Sequence, residues 1–199
     1  MKILNLFIYA ISLLLFFTVM VACNSKDKNT SKAKEETSLA TKSVQGIAKR
    51  SLNLRNVESI SQEDLKKWFP QDLSGMKLDT YKESALASQN VVGATASYKG
   101  EGTKKIEVYV ADGAGKGSHA VLTMFSTLVH ITPEETDSRS LKILDDKDMQ
   151  GTEIYEKNTN TTKLAFMYKD RFAVTVNGYD MDAKATWKAT EELKLDKLF

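Results

Sequence analysis

Between Lys105 and Ala111 the side chains of Ile106, Val108 and Val110 alternate with Glu107 and Tyr109, so apolar groups recur at every second residue. A strand points successive side chains to opposite faces, and this spacing therefore predicts a sheet with one buried and one wetter face. Gly113 to Gly117 interrupts the pattern. Beyond Ser118 the period changes, with Val121, Met124, Phe125, Leu128 and Val129 three and four apart on one helical stripe. A change of period across so short a glycine loop makes strand and helix neighbours in one domain.

The surrounding residues fit that frame. Ile60-Ser61-Gln62-Glu63-Asp64-Leu65 predicts a helix start, with Ser61 as N-cap, Asp64 at the capping-box position and Ile60 and Leu65 placed as a hydrophobic staple; Pro70 ends the helix. Strands are predicted over 76–84, 91–98 and 105–111, with Gly100-Glu101-Gly102 as a hairpin turn. Ser118 is the expected cap of the next helix and Pro133 bounds its far end. A polar segment, 134–140, returns the chain to Leu141-Lys142-Ile143-Leu144. Further strands are predicted over 152–156, 163–168 and 172–177, with Lys169-Asp170-Arg171 turning between the last two. Asp180 or Asp182 caps a final helix whose stripe runs through Ala183, Trp187, Thr190 and Leu193, leaving Leu195 and Leu198 in a short apolar tail. Hairpin-length links between strands predict the α+β class, an antiparallel β-sheet packed against helices. This order, with the aromatic hairpin Phe166-Met167-Tyr168-Lys169-Asp170-Arg171-Phe172 before a C-terminal helix, is loosely similar in architecture to the PsbP-like α/β/α sandwich. The likeness implies a fold and transfers no functional residue.

The amino terminus has a different character. After Met1 and Lys2 no charge occurs from Ile3 to Ala22, a run rich in Leu and Phe. A basic start, an apolar middle and small residues before a cut site describe a secretory signal; a retained membrane helix is the competing reading, since about 20 apolar residues are needed to span. The run closes on Met20-Val21-Ala22-Cys23, which resembles the lipobox of bacterial lipoprotein precursors. Val21, Ala22 and Cys23 match that pattern and Met20 stands where Leu is usual. The resemblance implies diacylglycerol on the Cys23 sulfur, cleavage after Ala22 and acylation of the new amino group. A thiolate is the nucleophile such a transfer needs. Each buried methylene contributes about 0.8 kcal/mol, so two or three chains hold a protein where one does not. Asn24 in place of Asp is compatible with the family's outer-membrane sorting, and Lys26-Asp27 loosely resembles a charged surface-display signal.

From Asn24 to Val57 the chain is polar and lacks aromatic residues, a composition that buries little surface. As a coil of about 35 residues it spans roughly 30 to 35 Å, with a weak helical spacing through Leu39, Ile47 and Leu54. The expected organisation is a lipoprotein signal peptide at 1–22, a lipid-anchored flexible linker at 23–57 and an α+β globular domain at 58–199.

Several motifs invite a functional reading. Asp112-Gly113-Ala114-Gly115-Lys116-Gly117-Ser118 resembles the phosphate loop of adenylate kinases, yet Val110 stands where that loop needs another glycine, and the preceding strand is not apolar on both faces; a strand-to-helix turn is expected. Asp146-Lys147-Asp148-Met149-Gln150-Gly151 begins like a calcium loop, but Lys157 occupies the position that requires a bidentate Glu, so a turn is expected there too. His119 and His130, the only histidines, are eleven residues apart on one predicted helix, about 16 Å along its axis, and so are not expected to share a metal. Cys23 is the only cysteine, which excludes a disulfide within the chain and leaves a zinc site short of ligands. Trp68, Trp187 and the aromatics of 166–172 are expected in the core. A net charge of +2 from 28 basic and 26 acidic residues, with signs interspersed, excludes the basic stripe of a nucleic-acid binder. No catalytic residues, metal or cofactor are assigned. The expectation is a non-enzymatic protein of the bacterial cell envelope, on the outer membrane and facing periplasm or surface. Its partners are the membrane, through lipid on Cys23, and an envelope protein or small ligand; a structural lipoprotein without ligand, or a hydrolase, is the alternative.

Overall fold

A computed structural model describes residues 49–126 and 131–199. The signal segment, Cys23, most of the linker and His130 lie outside the described residues. In chain order the described elements are helix α1 (49–54), α2 (Gln62–Trp68), strands β1 (Asp72–Leu73), β2 (Met76–Glu83), β3 (Gly93–Lys99) and β4 (Lys105–Asp112), helix α3 (Ser118–Ser126), strands β5 (Glu134–Glu135), β6 (Arg139–Asp145), β7 (Met149–Glu156), β8 (Thr161–Tyr168) and β9 (Phe172–Tyr179), and helix α4 (Ala183–Glu192). The strands form one sheet in the order β1-β2-β3-β4-β9-β8-β7-β6-β5, and every neighbouring pair is antiparallel. The fold is α+β.

The alternation that begins at Lys105 sets the two faces. Val108 and Val110 pair with Val176 and Val174 of β9, which pair in turn with Leu164 and Phe166 of β8, and all six side chains are fully buried. Helices α2 and α4 and a short 3-10 turn, Leu195–Leu198, cover this face. Helix α4 turns its small residues Thr186, Ala189 and Thr190 inward, which brings its backbone close to the sheet, while Trp187 stacks on Phe166 with ring centroids 6.1 Å apart. Among the described residues the opposite face is covered at one end only, where Val121, Leu122 and Phe125 of α3 meet Ala111, Ala173, Ala165 and Met167, with Leu54 of α1 alongside. Toward the other end the side chains are Glu107, Asn177, Lys163 and Tyr179, none of them buried.

Both edges of the sheet carry a strand of only two residues, β1 on β2 and β5 on β6. Short edge strands limit pairing with another chain.

The structure changes several expectations. The linker was expected to reach Val57, but α1 is folded against the domain: Ser51 Oγ lies 3.0 Å from Ser118 Oγ, and Leu54 O accepts from Gly115 N at 3.0 Å. Ser118 is the first residue of α3 and not its cap, because its hydroxyl donates to Ser51 O at 3.1 Å. Asp182 caps α4 by accepting from Ala185 N at 2.7 Å, whereas Asp180 takes a left-handed conformation, φ 54°, in the preceding turn. The segment 134–140 contains β5 and the start of β6. Ser61 accepts from Asp64 N as expected, and Lys169 and Asp170 both take positive φ in the β8–β9 turn.

Candidate functional site

Among the connections that antiparallel order gathers at one end of the sheet are the turns β1–β2, β3–β4 and β7–β8, and the passage from β9 into α4. Between them lies a cleft of about 540 Å³. Ser74, Gly75 and Met76 supply one part of its lining, and Gly100, Glu101 and Lys104 of the next turn another. Asn160, the segment Asp180–Met181–Asp182, and Ala185 and Lys188 of α4 complete it. The volume suits a small molecule.

Hydrogen bonds between the loops make this lining rigid. Asp180 joins two turns, its Oδ1 accepting from Asn160 Nδ2 at 3.1 Å and its Oδ2 from Thr103 Oγ1 at 2.9 Å. These donors, Asn160 first and Thr103 next, hold the Asp180 carboxyl below the usual carboxylate range. Asn160 is itself fixed by Tyr155, whose hydroxyl donates to its Oδ1 at 3.1 Å, and Met181 N donates to Asn160 O at 2.7 Å. On the other wall Ser74 N donates to Glu192 Oε2 at 2.7 Å, linking the β1–β2 turn to α4.

Two features of the lining carry a stability cost. Ser74, Asn160 and Asp180 are three of the seven non-glycine residues with positive φ among the described residues, at 52°, 47° and 54°. Asn and Asp tolerate that region, while serine does so less readily. Ser74 Oγ is also buried with no hydrogen-bond partner. The lining holds no histidine or cysteine, and two of its three acids, Asp180 and Asp182, already accept hydrogen bonds from the protein.

No family model, curated protein or solved structure matches this chain.

The motifs singled out in the sequence lie elsewhere. The glycine loop 113–117 sits at the opposite end of the sheet, and three of its five amides are taken: Gly113 N donates to Arg171 O, Ala114 N to Asp112 Oδ1, and Gly115 N to Leu54 O. Gly115 adopts φ 76°, and a Cβ there would stand 2.5 Å from Ser59 Oγ. The loop is a turn with few amides left for a phosphate. At its root Asp112, 0 % exposed, accepts from Arg171 Nε and Nη2, both at 2.8 Å, from Ile60 N at 2.8 Å and from Ala114 N at 2.9 Å. Asp146 Oδ1 accepts from Asp148 N and Met149 N, closing the β6–β7 turn in place of a calcium loop. His119 is exposed on α3, beside a shallow hollow that Lys116 and Met124 also line. Phe166, Tyr168 and Phe172 are buried in the core, with Trp68 and Trp187 half-buried against it. Trp187 Nε1 donates to Glu153 Oε2 at 2.6 Å, and Lys142 Nζ donates to the same buried carboxylate at 2.9 Å. None of these residues lines the cleft. Among the described residues no helix is long and apolar enough to cross a membrane.

Proposed function

We propose that this chain is a non-enzymatic binding module of the bacterial cell envelope, held on the outer membrane by lipid on Cys23, with its domain in the periplasm or at the surface. The cleft takes a small ligand. The anchor is supported by the uncharged run that closes on Val21-Ala22-Cys23 and by the polar stretch that follows. The binding reading is carried by one observation, the cost that the fold bears around the cleft. A buried hydroxyl without a partner costs about 1–3 kcal/mol, and left-handed serine adds of order 1 kcal/mol. Strain and unmet hydrogen bonding of this kind cluster at functional sites.

The test is native mass spectrometry of the lipidated protein taken gently from its own membranes. It should carry a small-molecule adduct, and Ala185→Phe, which puts a ring into the cleft, should lose it. Adduct-free protein in both cases would contradict the reading.

A second reading, docking of an envelope protein, is favoured by the end of the sheet that no described element covers. There Tyr179, Asn177 and Lys163 border a depression of about 380 Å³.

A further inference from the structure

The distribution of charge in the cleft points to a class of ligand; this step rests on the reading that the cleft binds a small molecule. Five charged side chains line it: Glu101, Lys104, Asp180, Asp182 and Lys188. Their commitments differ. Asp180 accepts from Thr103 and Asn160, and Asp182 is occupied as the cap of α4. Lys104 acts on the Asp180 carboxyl only weakly and through space, and makes no ion pair with it. Glu101, Lys104 and Lys188 remain. The first two belong to the β3–β4 turn and Lys188 to α4, and none of the three side chains has an ion pair or hydrogen bond among the described residues. Below them the buried side chains of Met76 and Met181 supply apolar, deformable surface.

A site with spare charges of both signs and an apolar floor gives a singly charged molecule attraction and repulsion together. A molecule that carries both charges meets attraction at each. We propose that the cleft takes a small zwitterion with an apolar body, of the amino-acid or short-peptide class. Its carboxylate lies at Lys188 and Lys104, its ammonium at Glu101 and its apolar side chain over Met76 and Met181.

Three probes with one side chain and different charge test this: norleucine (zwitterion), N-acetylnorleucine (anion) and norleucinamide (cation). The full lipidated chain, labelled with 13C at its methionine methyl groups, is titrated with each in neutral detergent. The Met76 and Met181 methyl resonances should shift saturably, with norleucine binding about twofold to fivefold tighter than either singly charged probe, the worth of one exposed ion pair. Glu101→Gln should abolish the advantage over N-acetylnorleucine, and the double variant Lys104→Gln with Lys188→Gln the advantage over norleucinamide; all three residues are on the surface and none supports the core. A singly charged probe that binds as tightly as norleucine overturns the zwitterion and leaves the cleft as a binding site. If neither methyl responds to any probe, the cleft reading itself falls.

Discussion

Asp112→Ala should be among the most damaging single substitutions in the domain, although no apolar contact of any size is lost. The carboxylate is fully buried and accepts four hydrogen bonds, two from Arg171 and one each from Ile60 N and Ala114 N. Arg171, 16 % exposed at its side chain, also donates to Glu58 O at 3.0 Å. The cluster therefore ties the strand β4, the β8–β9 turn and the approach to α2 at one point. Removing one member of a buried pair strands the other, at a cost of about 3–5 kcal/mol. Each orphaned backbone N–H adds about 1–3 kcal/mol where water does not reach it. Partial access at Arg171 lets water recover some of that, so the expected loss is about 3–5 kcal/mol out of a total stability of about 5–15 kcal/mol. Urea unfolding, followed by the fluorescence of Trp68 and Trp187, measures it, and hydrogen exchange should speed up first at the Ile60 and Ala114 amides. A loss below about 1 kcal/mol, the worth of an exposed ion pair, would refute the buried-pair reasoning.

Three smaller perturbations follow from the same geometry. Trp187→Phe keeps a ring against Phe166 but removes the donor to Glu153, whose side chain is 7 % exposed, and should cost about 1–3 kcal/mol in urea; unchanged stability would contradict the bond. Gly115→Ala forces a Cβ onto a residue at φ 76° against Ser59 and should destabilise by about 1 kcal/mol or more, so an equally stable variant would contradict that loop conformation. Thr103→Val should move the Asp180 titration up toward the ordinary carboxylate value, read by carboxyl 13C NMR, and an unmoved midpoint would contradict the bridge between turns. The sign follows from the depressed value: the folded state keeps this carboxylate charged to lower pH than the unfolded chain does. Its stabilisation is thus present above the ordinary value and lost as pH falls through the depressed one, and Thr103→Val shrinks it.

Where local spacing decides an element, the sequence was legible. Ile106, Val108 and Val110 show the half-buried sheet, Ser61 with Asp64 shows a helix start, and Asp182 was one of two residues named as the last cap. Ends and edges were less readable. Helix α1 is held to the domain by Ser51 and Leu54 through contacts with Ser118 and Gly115, more than 60 residues away, which no local composition reveals. The two-residue strands β1 and β5 are too short to have a period. The cleft was invisible for a related reason, since Ser74, Glu101, Asn160 and Asp180 are each ordinary turn residues. Only the parity of strands in an antiparallel sheet puts their four connections at one end. The glycine loop, in contrast, drew attention as a pattern, yet its first three amides bond within the protein.

The anchor is tested most directly by labelled palmitate in cells that carry the wild-type chain or Cys23→Ser. The wild-type protein should take up label and run at the size of a chain cut after Ala22. Serine's hydroxyl is far less ionised than a thiol at neutral pH, so the variant should stay unlabelled and accumulate uncut. Label on Cys23→Ser, or its appearance at mature size, would contradict lipid attachment at Cys23 and leave the run from Ile3 to Ala22 as a membrane helix.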